Sequence, residues 1–108
     1  MTQYTGQVNN YTLSIYAPNV GQDYKSVIYL DGSFGLAFLY FVPPDGTLGT
    51  NQKRDGENVF DIWYWMYSWP HFVDMLRNEK PVTFNYDDTT QLAEIKTSWE
   101  PTGEAEPL

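Results

Sequence analysis

His71 is the only histidine of the chain, and it is the one side chain with an ordinary pKa suited to acid–base work near neutral pH. A catalytic dyad or triad would have to use it, with Ser68 or Asp74 as the nearest partners in sequence. His71 lies beside Trp69 and Phe72 near the start of a short predicted helix. A histidine at such a position is usually exposed and takes no part in catalysis. We therefore predict no catalytic residue and keep His71 as a polar, pH-sensitive contact to a partner.

The fourteen Asp and Glu residues raise the question of a carboxyl pair such as glycosidases use. Asp61 is the best candidate for a raised pKa, because its neighbours in the strand pattern are apolar or aromatic. An isolated aspartate in a strand more often lies at the wet edge of a sheet, so we retain Asp61 only as a polar contact. Asp87 and Asp88 offer oxygen ligands but lack the spacing of a calcium loop. We predict no metal site, and a small hydrolase is the last of our hypotheses.

The glycines and basic residues do not form a nucleotide site. Gly46, Gly49 and Gly56 match neither GxxxxGK[ST] nor GxGxxG. Lys53 and Arg54 form the dibasic pair of a long polar loop, and on this acidic chain they suit an anionic group of a partner. The absence of cysteine excludes disulfides and thiolate metal ligands. We predict that the protein needs no cofactor.

Aromatic residues are the densest chemical feature and make up 18% of the chain. In the run IWYWMYSWPHF (62–72), a continuous strand would place Trp63, Trp65 and Tyr67 on one face, about 6–7 Å apart. Such a row can stack on sugar rings or bases, or be buried against another protein. One small core has limited room for these three rings together with Trp69 and Trp99. We predict that these five residues bind a ligand or partner.

The elements that must position these residues follow from periodicity. Period-two patterns predict strands at 11–17, 25–30, 34–42, 59–67, 81–86 and 91–99. Asp31 and Gly32 favour a tight hairpin between the second and third strands. One helix is predicted at about 69–79, with Ser68 as N-cap and Pro81 preventing continuation. Residues 43–58 form a polar loop longer than most connections in compact domains.

These elements predict one α+β domain over residues 1–99. We expect a mostly antiparallel, strongly coiled sheet of five to six strands, or a small open barrel, with one short helix. Antiparallel pairing is expected because the other connections are short enough for hairpins. Residues 100–108 are acidic and contain prolines, and they predict a flexible tail.

The net charge of −8 disfavours direct nucleic-acid binding and docking on anionic membranes, since both would be repulsive. No apolar run approaches the roughly 20 residues of a membrane-spanning helix. The first ten residues lack the features of a secretory signal. We expect a cytoplasmic protein.

Together these observations favour a non-enzymatic binding or assembly domain. The predicted contact surface is the aromatic sheet face, and the predicted partner is another protein or a second copy of the chain. Asp61, His71, Lys53 and Arg54 are the predicted polar contacts around it. Two alternatives remain: recognition of a carbohydrate or small ligand by the same rings, and acidic mimicry of nucleic acid that blocks a basic site on another protein.

Overall fold

The computed structural model describes residues 2–17 and 24–98. In this part the chain forms seven strands, one 3₁₀ turn and one α-helix, so the α+β class with a single short helix is confirmed. The elements are β1 (Gln3–Ile15), β2 (Ser26–Gly32), β3 (Gly35–Val42), β4 (Gln52–Lys53), β5 (Val59–Trp65), the 3₁₀ turn (Met66–Ser68), α1 (Trp69–Asn78), β6 (Val82–Asp87) and β7 (Leu92–Thr97). The predicted tail at 100–108 lies outside the described residues.

The strands form one curled sheet in the order β4-β5-β3-β2-β1-β6-β7, a half-barrel. The expected mostly antiparallel sheet of five to six strands is corrected to a mixed sheet of seven, because β3 and β5 pair in parallel. Residues 43–58 are long enough to carry the chain back to the starting end of β3 before β5 begins. This segment also contains the short edge strand β4, which was not predicted because its residues are polar.

Strand β1 is longer than predicted and joins the two halves of the sheet. Its first part, from Gln3 to Gln7, pairs with β6, and its second part, up to Ile15, pairs with β2. The sequence pattern predicts a strand only from residue 11, because residues 3–10 are mostly polar. Those polar side chains alternate outward to solvent, while Tyr4 and Val8 pack against the core.

The hydrophobic core lies on one face of the sheet, which we call the inner face. Its buried members include Leu39 and Phe41 of β3 and Phe60 and Ile62 of β5. The amphipathic helix α1 covers this face, where Phe72 lies edge-on to Phe41 at 5.5 Å between ring centroids. Within residues 2–17 and 24–98, no helix is both long and apolar enough to cross a bilayer.

The helix and the two hairpins form close to their predicted positions. α1 begins at Trp69, with a proline in its first turn, although Ser68 makes no side-chain capping bond. The β2–β3 pair meets at Gly32 and Gly35, so its turn is formed by Ser33 and Phe34 and not by the predicted Asp31 and Gly32, which extend β2. The β6–β7 pair runs from Val82–Thr97 to Asp87–Leu92. β3 lies between β2 and β5, which agrees with the apolar character of both of its faces.

Candidate functional site

The opposite face of the sheet, which we call the outer face, carries a second set of rings. Because directly paired residues share a face, the registers Tyr29–Phe38 and Tyr40–Trp63 bring rings from β2, β3 and β5 together. Tyr16, after β1, and Tyr24, before β2, add two more rings. We define the outer aromatic layer as Tyr16, Tyr24, Tyr29, Phe38, Tyr40 and Trp63.

The rings of this layer pack on one another. Tyr29 lies edge-on to Phe38 at 5.2 Å between ring centroids, and Tyr40 stacks on Trp63 at 4.5 Å and 27°. Tyr24 contacts Tyr40 at 5.0 Å. Beneath the rings, Val27 and Val42 are fully buried without belonging to the inner core cluster. The sheet therefore separates two hydrophobic layers, one under the helix and one on the outer face.

A loop fixes Trp63 within the outer aromatic layer. Gly49 lies so close to the indole that a methyl group at this position would overlap the ring. Asn51 accepts a hydrogen bond from the backbone N–H of Trp63 through its Oδ1 atom at 2.8 Å, and its amide group donates to the carbonyl of Gln91 at 3.2 Å. The close approach of backbone and indole therefore depends on a residue without a side chain.

Gly49→Ala is expected to lift this loop from Trp63. The added methyl group cannot be accommodated without a shift of backbone or indole, and we expect a loss of about 1–3 kcal/mol in the free energy of unfolding. The indole N–H signal of Trp63 should move in NMR spectra, and denaturant unfolding should measure the loss. Thr50→Ala, at an exposed position of the same loop, is the control. Unchanged spectra and stability for Gly49→Ala would contradict this packing.

A charged network lies within the layer. Arg54 donates to Asp61 from Nε at 2.9 Å and from its terminal nitrogen at 3.0 Å, and the Tyr40 hydroxyl donates to Asp61 at 2.7 Å. The Asp61 side chain is 9% exposed and that of Arg54 is 38% exposed. The guanidinium also lies 4.9 Å from the centroid of Phe38. Arg54 reaches this position because its backbone N–H bonds the carbonyl of Val59 directly after β4.

The network determines the charge state of Asp61. Burial alone would raise the pKa of Asp61, but the hydrogen bonds from Arg54 and Tyr40 outweigh it and hold that pKa below the ordinary value. Burial, together with the bond to Asp61, raises the pKa of Tyr40 far above its ordinary value. The predictions of a raised pKa and of a solvent-exposed edge position for Asp61 were both wrong, because Arg54, directly after β4, pairs with the buried carboxylate. Asp61 is a paired anion and is unsuited to act as a general acid.

The structure separates the five predicted aromatic contacts. Trp63 and Trp65 both lie on the outer face, with Trp65 opposite Val42. The expected row of three is not formed, because β5 ends at Trp65 and Tyr67 lies in the 3₁₀ turn, where it is 73% exposed. Trp69 lies edge-on to the core ring Phe41 at 5.0 Å on the inner face. Trp99 lies outside the described residues.

The structure also separates the predicted polar contacts from one another. His71 is exposed on α1, and none of the hydrogen bonds found in residues 2–17 and 24–98 joins it to Ser68 or Asp74. Lys53 lies over the Tyr4 ring at 5.5 Å, away from the outer aromatic layer. Asp87 accepts bonds from two backbone N–H groups of its own turn. Across those same residues no three His, Asp or Glu side chains come together as metal ligands.

Most members of the outer aromatic layer were not predicted from the sequence. Its rings on β2 and β3 come from segments predicted as a hairpin with two apolar faces, and that alternation was the available signal. The parallel register that places Tyr40 against Trp63 could not be read from it, since it depends on the crossover through residues 43–58.

Comparison of the chain with protein-family models finds no matching family. No significant match is found among curated proteins or among solved structures.

Proposed function

We propose that this chain is a non-enzymatic binding domain whose outer aromatic layer contacts another protein chain. The observation that carries this proposal is the position of the layer, since its rings occupy the face opposite the one that α1 covers. Protein interfaces are enriched in Tyr, Trp, Phe and Arg and depleted of unpaired charge at their centres. The layer has this composition, with one arginine already neutralised by Asp61.

The exposed atoms of the layer suit a protein partner. The hydroxyl groups of Tyr16 and Tyr29 lie 2.9 Å apart and form a polar rim, while Leu36 is exposed on the same face of β3. The partly exposed guanidinium of Arg54 can donate further hydrogen bonds to backbone carbonyl groups. A mixed apolar surface with hydrogen-bond acceptors would complement this face without needing strong opposite charge.

The two alternatives have less support from the geometry. A sugar ring stacks on an open aromatic face, but Trp63 is already stacked by Tyr40 and touched by Gly49. A nucleic-acid mimic presents rows of free acidic groups, whereas Asp61, the buried acid of this face, is paired with Arg54. Neither alternative has an observation of its own in its favour.

Site-specific photo-cross-linking tests the proposal. Benzoylphenylalanine would replace Tyr29 in the outer aromatic layer, or Leu92 on edge strand β7 as the control. Leu92 is 70% exposed and lies on a different part of the sheet. After irradiation in the native cells, mass spectrometry would identify the cross-linked peptides.

We expect the probe at position 29 to join one defined peptide of another protein molecule, and the probe at position 92 to join none in comparable yield. Cross-links of equal yield at both positions would contradict a specific face. Cross-links from position 29 only to peptides of its own molecule, or no cross-link from this position, would also contradict the proposal.

A further inference from the structure

The second half of β1 has a neighbouring strand on one side only. Residues from Asn10 to Ile15 pair with β2, whereas β6 pairs with β1 only from Gln3 to Gln7. Within residues 2–17 and 24–98 no strand lies along the other edge of this segment. Among the described residues, this segment therefore forms an open edge away from the two terminal strands of the sheet.

The hydrogen-bonding groups of this edge belong to three residues. Tyr16 donates its backbone N–H to the carbonyl of Lys25 at 2.8 Å, toward the β2 side. In an antiparallel pair, successive residues direct their backbone groups alternately to one side and to the other. Tyr11, Leu13 and Ile15 therefore direct their N–H and C=O groups to the open side.

The same three residues carry exposed apolar side chains. Tyr11 and Leu13 are more than a third exposed and Ile15 is 74% exposed, on the face they share with the buried Leu30 and Ile28 of β2. Proteins usually protect such edges with charged residues or proline. Residues 2–17 contain no charged side chain, and only the irregularity at Val8–Asn10 limits the edge. Within β1 itself, neither a charged side chain nor a proline protects this segment.

We propose that a second copy of this chain pairs with this edge, antiparallel, across a two-fold axis at Leu13. This register places Leu13 of one copy opposite Leu13 of the other, and Tyr11 opposite Ile15. Each residue whose backbone groups point to the open side is then paired with another such residue of the second copy. The three pairs form about six backbone hydrogen bonds. Their apolar side chains lie on the same face of the joined sheet.

The charge pattern limits where a second copy can bind. With a net charge of −8, two copies repel each other over most approaches. The uncharged β1 segment is a place where two copies can meet without opposing like charges. The pairing would leave the outer aromatic layer of both copies free, so this inference goes beyond the proposed function and does not rest on it.

Sedimentation velocity over a concentration series tests the pairing. The full chain should sediment at about twice its 12.5 kDa mass as concentration rises. Leu13→Lys places two lysines opposite each other in the dimer and removes two apolar contacts, so we expect dimerisation to weaken by roughly a hundredfold. Thr12→Lys adds the same charge on the opposite face of the same strand and should dimerise like the original chain.

Amide hydrogen exchange supplies a second readout. Protection of the Tyr11, Leu13 and Ile15 amides should increase with protein concentration in the original chain and not in Leu13→Lys. A monomer at every concentration would overturn the proposal, as would a dimer unaffected by Leu13→Lys. Protection independent of concentration would identify a segment of the same chain as the occupant and would also overturn it. Phe38→Ser should leave this dimer intact, so that failure here is separable from failure of the aromatic contact.

Discussion

Phe41→Ala is expected to lower the free energy of unfolding by about 3–5 kcal/mol, the usual cost of removing a buried ring from a core. Phe41 is fully buried in β3 and contacts the rings of Tyr64, Trp69 and Phe72. Its loss removes contact between the sheet and α1 together with burial of the ring itself. Urea unfolding followed by circular dichroism would measure the change.

Phe38→Ala, on the same strand but on the outer face, is the matched control. Phe38 is only half-buried, so less surface returns to water and we expect a loss of about 1–2 kcal/mol. The comparison distinguishes a ring that stabilises the core from a ring that is available to contact a partner. Equal losses for the two variants would show that the outer aromatic layer is an ordinary part of the core.

Asp61→Ala is expected to lower the free energy of unfolding by about 2–4 kcal/mol, because it leaves the Tyr40 hydroxyl and the Arg54 guanidinium without their acceptor. The expected loss is no larger because the Arg54 side chain is more than a third exposed, so water replaces part of the hydrogen bonding that it loses. Asp55→Ala removes an exposed acid from the neighbouring turn and should change stability by less than about 0.5 kcal/mol. Similar effects of the two variants would contradict a structural role for the network.

The contribution of Asp61 should also depend on pH in a defined direction. Its pKa is lower in the folded chain than in the unfolded chain, where the ordinary value is about 3.9. The stabilisation is therefore fully present above about pH 4 and decreases as the pH falls through the lower, folded value. The difference in unfolding free energy between the original chain and Asp61→Ala should shrink in that acid range. A difference that stays constant down to pH 2 would contradict the assignment.

Local patterns were enough to predict the regular elements but not their arrangement. The apolar spacing of Phe72, Met75 and Leu76 predicted α1, and alternation predicted both hairpins. The polar half of β1 escaped prediction, since its outward residues carry no apolar signal. The parallel pairing of β3 with β5 depends on where a long loop returns, which is a tertiary property.

The candidate site shows the same division. The abundance of aromatic residues indicated that one core would not hold them all, and the rings do occupy two layers. Tyr67 was assigned to the wrong surroundings because nothing in the run at 62–72 marks the end of β5 at Trp65. The pairing of Arg54 with Asp61 was missed because the two lie seven positions apart and meet only after β4 aligns against β5.

Oxidative footprinting of the protein in its native cells and after purification tests the central claim most directly. Hydroxyl radicals label exposed rings, and mass spectrometry reports the labelling of each residue. We predict that Tyr16, Tyr29 and Phe38 are labelled several-fold less in cells than in the dilute purified chain, while the exposed Tyr67 is labelled equally in both. Equal labelling of the outer aromatic layer in the two preparations would contradict the claim that this face is covered by another protein.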